Sequence, residues 1–218
     1  MRGNSIAGAR IFCKNNRMQR ILLTSFRTWL PHQKSNSSDD LLAAIAPLFA
    51  LDTTCELVLW RHLPVDIALA AAEVKRAIAK VQPTALVCCG MAENRKGLAI
   101  EVQAFPVINP SQPSPEPSQS KAILSTANIP QLSKGLVATT LSYNAGKFVC
   151  EGLYYEVLSY LTQSPHPLPC IFVHIPLLTP ENQEAIMADF CSILKNLDNS
   201  VDTPRCERAG ILNSATDL

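Results

Sequence analysis

Short apolar segments alternate with amphipathic segments along most of this chain, and this order restricts the possible folds more than any other feature. The apolar segments have the length and composition of strands: RILLTSF, ELVLWRHL, TALVCCG, GLAIEVQAF, LVATTLSY and CIFVHIPLL. Between most of them lie segments with apolar residues at helical spacing, of which VDIALAAAEVKRAIAKV is the clearest. Strands that alternate with helices predict an α/β fold, a three-layer α/β/α sandwich with a mostly parallel central sheet.

Two predicted helices begin with recognisable start signals, and one long segment has the composition of a loop. Ser38 or Asp39 is the predicted N-cap of the helix DDLLAAIAPLFA. Thr179 is the predicted cap of TPENQEAIMADFCSILKNL, with Pro180 at the first helical position. Residues 106–135 are rich in proline and serine, so we predict a long surface loop there.

The length and composition predict one domain with flanking segments. The chain has 218 residues, of which 47% are hydrophobic and 17% charged, enough apolar material for a core. We predict a single catalytic α/β domain over residues 19–197, a disordered N-terminal extension over residues 1–18 and a C-terminal tail over residues 198–218. The extension is basic, so a transit peptide is an alternative, but its apolar stretch is too short for a secretory signal.

Charge and cysteine usage exclude several classes of function. The net charge is +1 and no basic stripe is interleaved with aromatic residues, so we expect no nucleic-acid partner. No apolar run is long enough to span a bilayer, so we expect no membrane association. The eight cysteines include no CxxC pair and no metal-ligand spacing, and several lie in apolar runs. We therefore predict no metal site and a reducing, cytoplasmic compartment.

Three reactive side chains fall at or near strand ends, where open α/β sheets bind their ligands. Glu101 interrupts the alternating strand GLAIEVQAF, and His174 is the only polar residue of CIFVHIPLL. Cys150 lies in the opening turn of the predicted helix KFVCEGLYYEVLSYL, directly after a strand and the turn NAG. Together they offer a nucleophile, a base and an acid.

Each of these residues also has a purely structural interpretation. Unpaired amides at a helix start favour a thiolate, but position alone makes Cys150 more often a packed residue beside Val149 and Leu153. His174 is either a general base or a satisfied core histidine, and Glu101 either orients an imidazole or faces solvent. The other histidines, of which His62 could also face a site, are His32, His62 and His166.

Four separated motifs, in constant order from about residue 19 to about residue 197, resemble those of the pyroglutamyl peptidase I family. SYNAGKFVCEGLYY is similar to the family's S-x-T-A-G-x-[FY]-x-C-N, and FVHIPLL to its F-I-H-[VI]-P. GMAENRKGLAIEVQA resembles G-Q-A-G-G-R followed by I-x-x-E-R-x-A, with Arg95 and Glu101 at the family's offset. ILLTSFRTWLPHQKSNSS resembles I-L-[VL]-T-G-F-x-P-F-G-G-x-x-x-N-P-S.

The resemblance implies a function and a set of roles. It implies a phosphorylase/hydrolase-like arrangement and a cysteine peptidase that removes an N-terminal pyroglutamyl group from peptide substrates, with no metal or cofactor. Cys150 would be the nucleophile, His174 the base and Glu101 the orienting acid. Family members often self-associate, so a homo-oligomer is an option. The implied substrate-binding residues are Phe26, Trp29, Asn36, Met91 and Phe148.

The sequence departs from the family's pattern around the pocket. Met91 replaces the glutamine after the glycine, and Glu151 replaces the asparagine after the cysteine. Leu30 and Pro31 replace the paired glycines of the family's N-terminal motif. Two alternatives therefore stay open beside a pyroglutamyl peptidase: an inactive member that binds peptides or proteins, and a cysteine amidase with another substrate.

Overall fold

The computed structural model describes residues 18–107, 121–164 and 168–197. The predicted extension apart from Met18, residues 108–120 of the proline-rich segment, His166 and the predicted tail lie outside these ranges. The elements, in chain order, are β1 (Gln19–Phe26), α1 (Ser37–Ile45), a 3-10 turn (Ala46–Phe49), β2 (Cys55–Leu63), α2 (Ile67–Val81), β3 (Ala85–Met91), β4 (Leu98–Glu101), β5 (Gln103–Ala104), β6 (Ile123–Leu124), α3 (Ile129–Leu132), β7 (Thr139–Ser142), α4 (Val149–Thr162), β8 (Cys170–Ile175) and α5 (Gln183–Leu197).

Six strands form the central sheet in the order β2-β1-β3-β8-β4-β7. Strand β1 pairs in parallel with β2 and β3, and β3 pairs in parallel with β8. Strand β4 is parallel to β7 but antiparallel to β8, so the last two strands run against the other four. The prediction of a mostly parallel sheet in an α/β fold is confirmed.

Helices cover both faces of the sheet, which explains why its central strands are apolar along their whole length. On β1, Leu22 faces the core beneath α2 and α4, whereas Ile21 and Leu23 face the core beneath α1, α3 and α5. The side chains of strand β8 alternate in the same way, with Phe172 on the face that α4 covers and Val173 on the opposite face. One core lies on each face of the sheet, between the strands and a layer of helices, and this arrangement gives the three predicted layers.

The antiparallel strand β4 places Glu101 on the sheet face that carries His174, and Leu98 and Ile100 on the opposite face. Ala99 pairs with His174, and Glu101 pairs with Phe172. Asp189 of α5 holds the neighbouring strand in place, because its carboxylate accepts hydrogen bonds from the amides of Val137 and Ala138 and the hydroxyl of Thr139. The edge of the sheet that carries Glu101 is thus fastened to a helix on the opposite face.

Two predicted helix starts are wrong by a few residues. Asn36, rather than Ser38 or Asp39, caps α1, since its side-chain oxygen accepts from the amide of Ser38. Helix α5 begins at Gln183 instead of following Thr179 directly. Asn182 accepts a hydrogen bond from the amide of Thr179 at 2.8 Å, so the chain makes a separate turn before the helix begins.

The predicted strand GLAIEVQAF and the loop that follows it also differ in detail. The strand divides, because Gln103 and Ala104 leave the main sheet and pair antiparallel with β6. The prediction of a loop over residues 106–135 is wrong for its second half, which contains β6 and α3. Ile129 and Leu132 are buried there beneath the sheet, so apolar packing orders a segment whose composition indicates a loop.

Candidate active site

The acid and the base meet in the buried interior of the sheet. His174 Nδ1 lies 2.7 Å from Glu101 Oε1, and the two residues are 6% and 0% exposed. An ionised carboxylate only accepts hydrogen bonds, so Nδ1 carries the proton and Nε2 keeps a lone pair. This tautomer can take a proton from a nucleophile.

Arg95 shares the carboxylate of Glu101 with His174. Arg95 Nη2 lies 3.2 Å from Glu101 Oε1 and donates to Ser142 Oγ at 3.0 Å. Ser142 Oγ donates in turn to the carbonyl of Asn144, in the loop that leads to Cys150. Among the described residues, no donor reaches Glu101 Oε2. Arg95 therefore connects the acid to the loop before the predicted nucleophile.

Cys150 lies in the first turn of α4, and its sulfur rests against a glycine of the sheet. A Cβ atom built on Gly90 would be 2.8 Å from Cys150 Sγ and 2.9 Å from the Phe172 ring. Gly90 pairs with His174 in the sheet, and the rings of Phe172 and His174 have centroids 4.9 Å apart. The missing side chain of Gly90 thus makes room for the thiol on the face that carries His174.

The thiol is protonated at neutral pH. Burial is the largest cause that raises the pKa of Cys150 to about 12; the nearby groups of Glu101, Cys88 and Glu151 contribute to this rise, while its own backbone amide opposes it. Among the contacts of the described ranges, no hydrogen bond joins Cys150 to His174. In unliganded enzymes such contacts are often long and shorten when substrate binds.

Glu151 is buried beside the predicted nucleophile, where the family pattern has asparagine. It is 3% exposed, and its Oε1 accepts a short hydrogen bond from the amide of Phe105. Burial raises the pKa of the Glu151 carboxyl, while the nearby backbone amides of Phe105 and Ala145 oppose that rise. The residue ties the segment after β5 to the start of α4.

An apolar cavity of about 160 Å³ opens at Cys150. All five predicted substrate-binding residues line it, together with four others: Phe26, Trp29, Asn36, Met91, Phe148, Arg27, Val65, Val149 and Cys150. The rings of Trp29 and Phe148 have centroids 5.5 Å apart at an interplanar angle of 43°. The structure therefore brings the predicted pocket residues together with the predicted nucleophile.

Asn36 lines the cavity but has its polar atoms engaged elsewhere. Its Oδ1 accepts from the amide and the hydroxyl of Ser38, and its Nδ2 donates to the carbonyl of Arg27. The side chain thus fixes the loop between β1 and α1, which also carries Trp29. Its contribution to the cavity is to shape this loop.

The other described histidines lie away from Cys150. His62 is exposed and lies 3.8 Å from Asp39, whose carboxylate also accepts from Arg61 and Ser25. His62 has a φ of 62°, a left-handed conformation that is uncommon for residues other than glycine. His32 lies in the exposed loop after β1. Neither lines the cavity that contains Cys150.

Sequence reasoning missed several residues of this site. Gly90 was visible only as the end of a strand, although a glycine inside an apolar strand is a signal for close approach. Val65 gave no signal, because it precedes α2 and reaches the cavity only in the folded chain. Within the described ranges, no three histidine, cysteine or acidic side chains group to hold a metal ion. The helices of those ranges are all too short or too polar to cross a bilayer.

Comparison with known proteins points to one family. The sequence profile described as pyroglutamyl peptidase matches residues 19–194. The pyrrolidone-carboxylate peptidase of Thermococcus litoralis is 26% identical over 139 residues, which are 57% of this chain and 63% of that protein. The pyrrolidone-carboxylate peptidase of Coprothermobacter proteolyticus is 28% identical over 175 residues, 74% of this chain and 83% of that protein.

Solved structures share the fold over nearly their whole length. The pyroglutamyl peptidase I of Bacillus amyloliquefaciens superposes with a TM-score of 0.70 at 18% identity, covering 84% of this chain and 96% of that chain. The pyrrolidone carboxyl peptidase of Fervidobacterium islandicum gives 0.69 at 21% identity, covering 84% and 100%. The profile match spans most of the described chain, and this chain belongs to the pyroglutamyl peptidase family.

Proposed function

We propose that the protein is a cysteine peptidase that removes an N-terminal pyroglutamyl or similar small group from peptides. One observation carries this proposal: the buried 2.7 Å contact between Glu101 and His174 lies on the same sheet face as Gly90, on which the sulfur of Cys150 rests. A lone buried histidine needs no carboxylate partner, and a packed cysteine needs no cavity beside it. Their combination is typical of nucleophilic catalysis.

The proposed reaction begins with proton transfer from Cys150 to His174 Nε2. The sulfur attacks the scissile carbonyl carbon, and the amine leaves with the proton returned by the imidazolium. Water then attacks the thioester, again with His174 as base, and releases the acid and the free thiol. Because the pKa of the thiol is about 12, the base is needed for attack at neutral pH.

Glu101 supports this sequence in two ways. Its bond to Nδ1 fixes the tautomer in which Nε2 accepts a proton, and its charge stabilises the imidazolium that forms. The oxyanion of the tetrahedral intermediate would meet the unpaired amides at the start of α4, among them that of Cys150. These amides belong to the helix that carries the nucleophile, so attack places the oxyanion next to them.

The cavity at Cys150 is the proposed site of the acyl group. Its lining is mostly apolar, and the tilted rings of Trp29 and Phe148 border it. A small flat lactam suits such a space, because its ring faces contact aromatic surfaces while its polar edge points elsewhere. Met91 and Asn36 complete the proposed pocket. Asn36 acts through the loop between β1 and α1, which its side chain fixes.

Hydrolysis of pyroglutamyl-aminomethylcoumarin tests the proposal. We expect release of the fluorophore by the wild type and its loss, by at least about 10³-fold, in Cys150→Ala. Cys191→Ala serves as the control, since Cys191 lies on α5 outside the cavity. A folded wild type without turnover would contradict the pyroglutamyl assignment.

An inactive member that binds peptides is the second candidate, and the environment of the thiol favours it. Two buried acidic residues, Glu101 and Glu151, both raise the pKa of Cys150 and thus oppose thiolate formation. Iodoacetamide labelling separates the candidates, because an inactive thiol would not be labelled in preference to the other cysteines. Selective labelling without turnover of the coumarin substrate would instead indicate a cysteine amidase with another substrate.

The proposed setting is a reducing, cytoplasmic one. Cys88, Cys89, Cys150, Cys170 and Cys191 form no disulfide, and the first two are buried in the sheet. A nucleophilic thiol needs the same reducing conditions to remain reactive.

A further inference from the structure

A second cavity, of about 370 Å³, borders the loop before Cys150. We call it the acidic cavity; residues 105–107 form one side, and Asn144, Gly146, Lys147 and Glu151 form the other. It shares no lining residue with the cavity at Cys150. Both take residues from the stretch 144–151, so the nucleophile lies between two separate binding volumes.

Glu151 gives the acidic cavity a buried polar atom without a partner. Its Oε1 accepts from the amide of Phe105, but no donor within the described ranges reaches its Oε2. The residue is only 3% exposed. A buried carboxylate oxygen without a hydrogen bond is unfavourable, and a ligand that brings a donor or a positive charge would relieve this.

The shape and polarity of the acidic cavity favour a long side chain with a cationic end. Phe105, Pro106 and Val107 offer apolar surface to an aliphatic stem, and Glu151 offers a charge to its tip. Lys147 also lines the cavity, but it is exposed, and the ion pairs of the described residues include none between Lys147 and Glu151. Lysine and arginine side chains have this combination of stem and charge.

The acidic cavity lies close to the reacting groups. Glu151 follows Cys150 directly, and its carboxylate lies within electrostatic range of the thiol and of the His174 ring. The acyl group of a substrate would occupy the cavity at Cys150, so the other side of the scissile bond needs a second volume. The acidic cavity supplies one next to the same turn.

We propose that the acidic cavity receives the residue on the amine side of the scissile bond and that Glu151 selects lysine or arginine there. This inference rests on the proposed function, because it assumes that a peptide is cleaved at Cys150. It adds a specificity for the leaving peptide, which the cavity at Cys150 does not determine.

A pair of matched substrates tests the selection. We expect kcat/KM for pyroglutamyl-lysine amide to exceed that for pyroglutamyl-norleucine amide by about 10-fold in the wild type, the scale of one charge-assisted hydrogen bond. Glu151→Gln should reduce this ratio to about 1. The ratio is taken within each variant, so a change in overall activity does not affect it. Glu156→Gln, which removes an acid of α4 that pairs with Lys75, should keep the ratio. An equal rate for both substrates in the wild type, or an unchanged ratio in Glu151→Gln, would overturn the proposal.

Calorimetric titration of the leaving groups separates this inference from the proposed function. In Cys150→Ala, lysine amide should bind about 10-fold more tightly than norleucine amide, and Glu151→Gln in that background should abolish the difference. If neither substrate is hydrolysed but the binding difference is present, the proposed function fails and the acidic cavity stands. If both are hydrolysed at equal rates and the amides bind equally, the proposed function stands and the inference fails.

Discussion

The sheet-borne and loop-borne halves of the candidate site are built differently. Glu101 and His174 lie on strands, are 0% and 6% exposed, and are held by hydrogen bonds at fixed geometry. Trp29 and Phe148 lie on loops, are 51% and 63% exposed, and contact each other through their rings. The first half offers fixed proton-transfer groups, and the second offers an adaptable apolar surface.

This contrast separates reactivity from selectivity. Changes to the sheet-borne half should lower kcat, because the roles proposed for Glu101 and His174 belong to the transition state. Changes to the loop-borne half should mainly raise KM, because they remove contacts that the bound substrate also makes. The departures from the family pattern at Leu30 and Pro31 affect the loop-borne half, whereas Met91 ends strand β3 and Glu151 lies beside the thiol. Glu101 and His174 are retained.

The largest effect on the sheet-borne half is expected for Glu101→Gln. The amide keeps the size of the side chain but removes the charge that stabilises the imidazolium and can hold the wrong tautomer of His174. We expect kcat to fall by about 10³–10⁴-fold with KM nearly unchanged. Steady-state kinetics on the coumarin substrate measure both, with Glu56→Gln at the exposed pair with Arg20 as control. A loss below 10-fold would show that Glu101 has no such role.

A smaller loss is expected for Gly90→Ala. The new Cβ would lie 2.8 Å from Cys150 Sγ and must displace the sulfur, the Phe172 ring or both. We expect kcat to fall by about 10²-fold, the size of the effect of a small misplacement of reacting groups. Circular dichroism and the melting temperature report whether the fold persists. Full activity in a folded Gly90→Ala would mean that the sulfur does not react from this position.

Truncation of the loop-borne half should act on binding. Trp29→Leu removes an aromatic face of the cavity, and since the side chain is half exposed, the melting temperature should change little. We expect KM to rise by about 10-fold with a change in kcat below 3-fold, the scale of one aromatic contact. Trp60→Leu should leave KM unchanged, because this tryptophan contacts Arg76 and does not line the cavity at Cys150. A fall in kcat alone would remove the distinction between the two halves.

The smallest effect concerns the titration of the thiol. With a pKa of about 12, Cys150 should react with iodoacetamide about tenfold faster for each pH unit from pH 7 to pH 10, because the thiolate fraction rises in that proportion. Glu151→Gln removes a negative charge that raises this pKa, so the rate at pH 9 should increase a few-fold. Mass spectrometry of the Cys150 peptide gives the rate. A rate that levels off near neutral pH would instead indicate a thiolate paired with the His174 cation.

The strand-borne residues were the most predictable part of the molecule. Strands β1, β3, β4 and β8 are buried on both faces, so their apolar runs identify them, and the polar exceptions Glu101 on β4 and His174 on β8 stand out against that background. Their side chains lie 2.7 Å apart, as a proton-transfer pair requires. Whether Cys150, His174 and Glu101 catalyse is a separate question, which the kinetic predictions address.

Other features depend on contacts between distant segments and could not be predicted. Asn36 caps α1 although Ser38 and Asp39 were the nearer choices, because its backbone is extended and its side-chain oxygen accepts from the amide of Ser38. The segment of residues 106–135 has a loop composition, but Ile129 and Leu132 find a core beneath α5. The place of Gly90 under Cys150 joins residues sixty positions apart, and local pattern cannot show it.

The short strand β4 makes the register of the sheet edge a condition for activity. Because successive side chains point to opposite faces, a slip of one residue would turn Glu101 into the apolar layer beneath α5 and present Ile100 or Val102 to His174. The hydrogen bonds that the Asp189 carboxylate accepts from the amides of Val137 and Ala138, directly before β7, resist that slip from the far side of the sheet. A substitution at Asp189 would therefore lower the catalytic activity, although this residue lies on the opposite face of the sheet from Glu101 and His174.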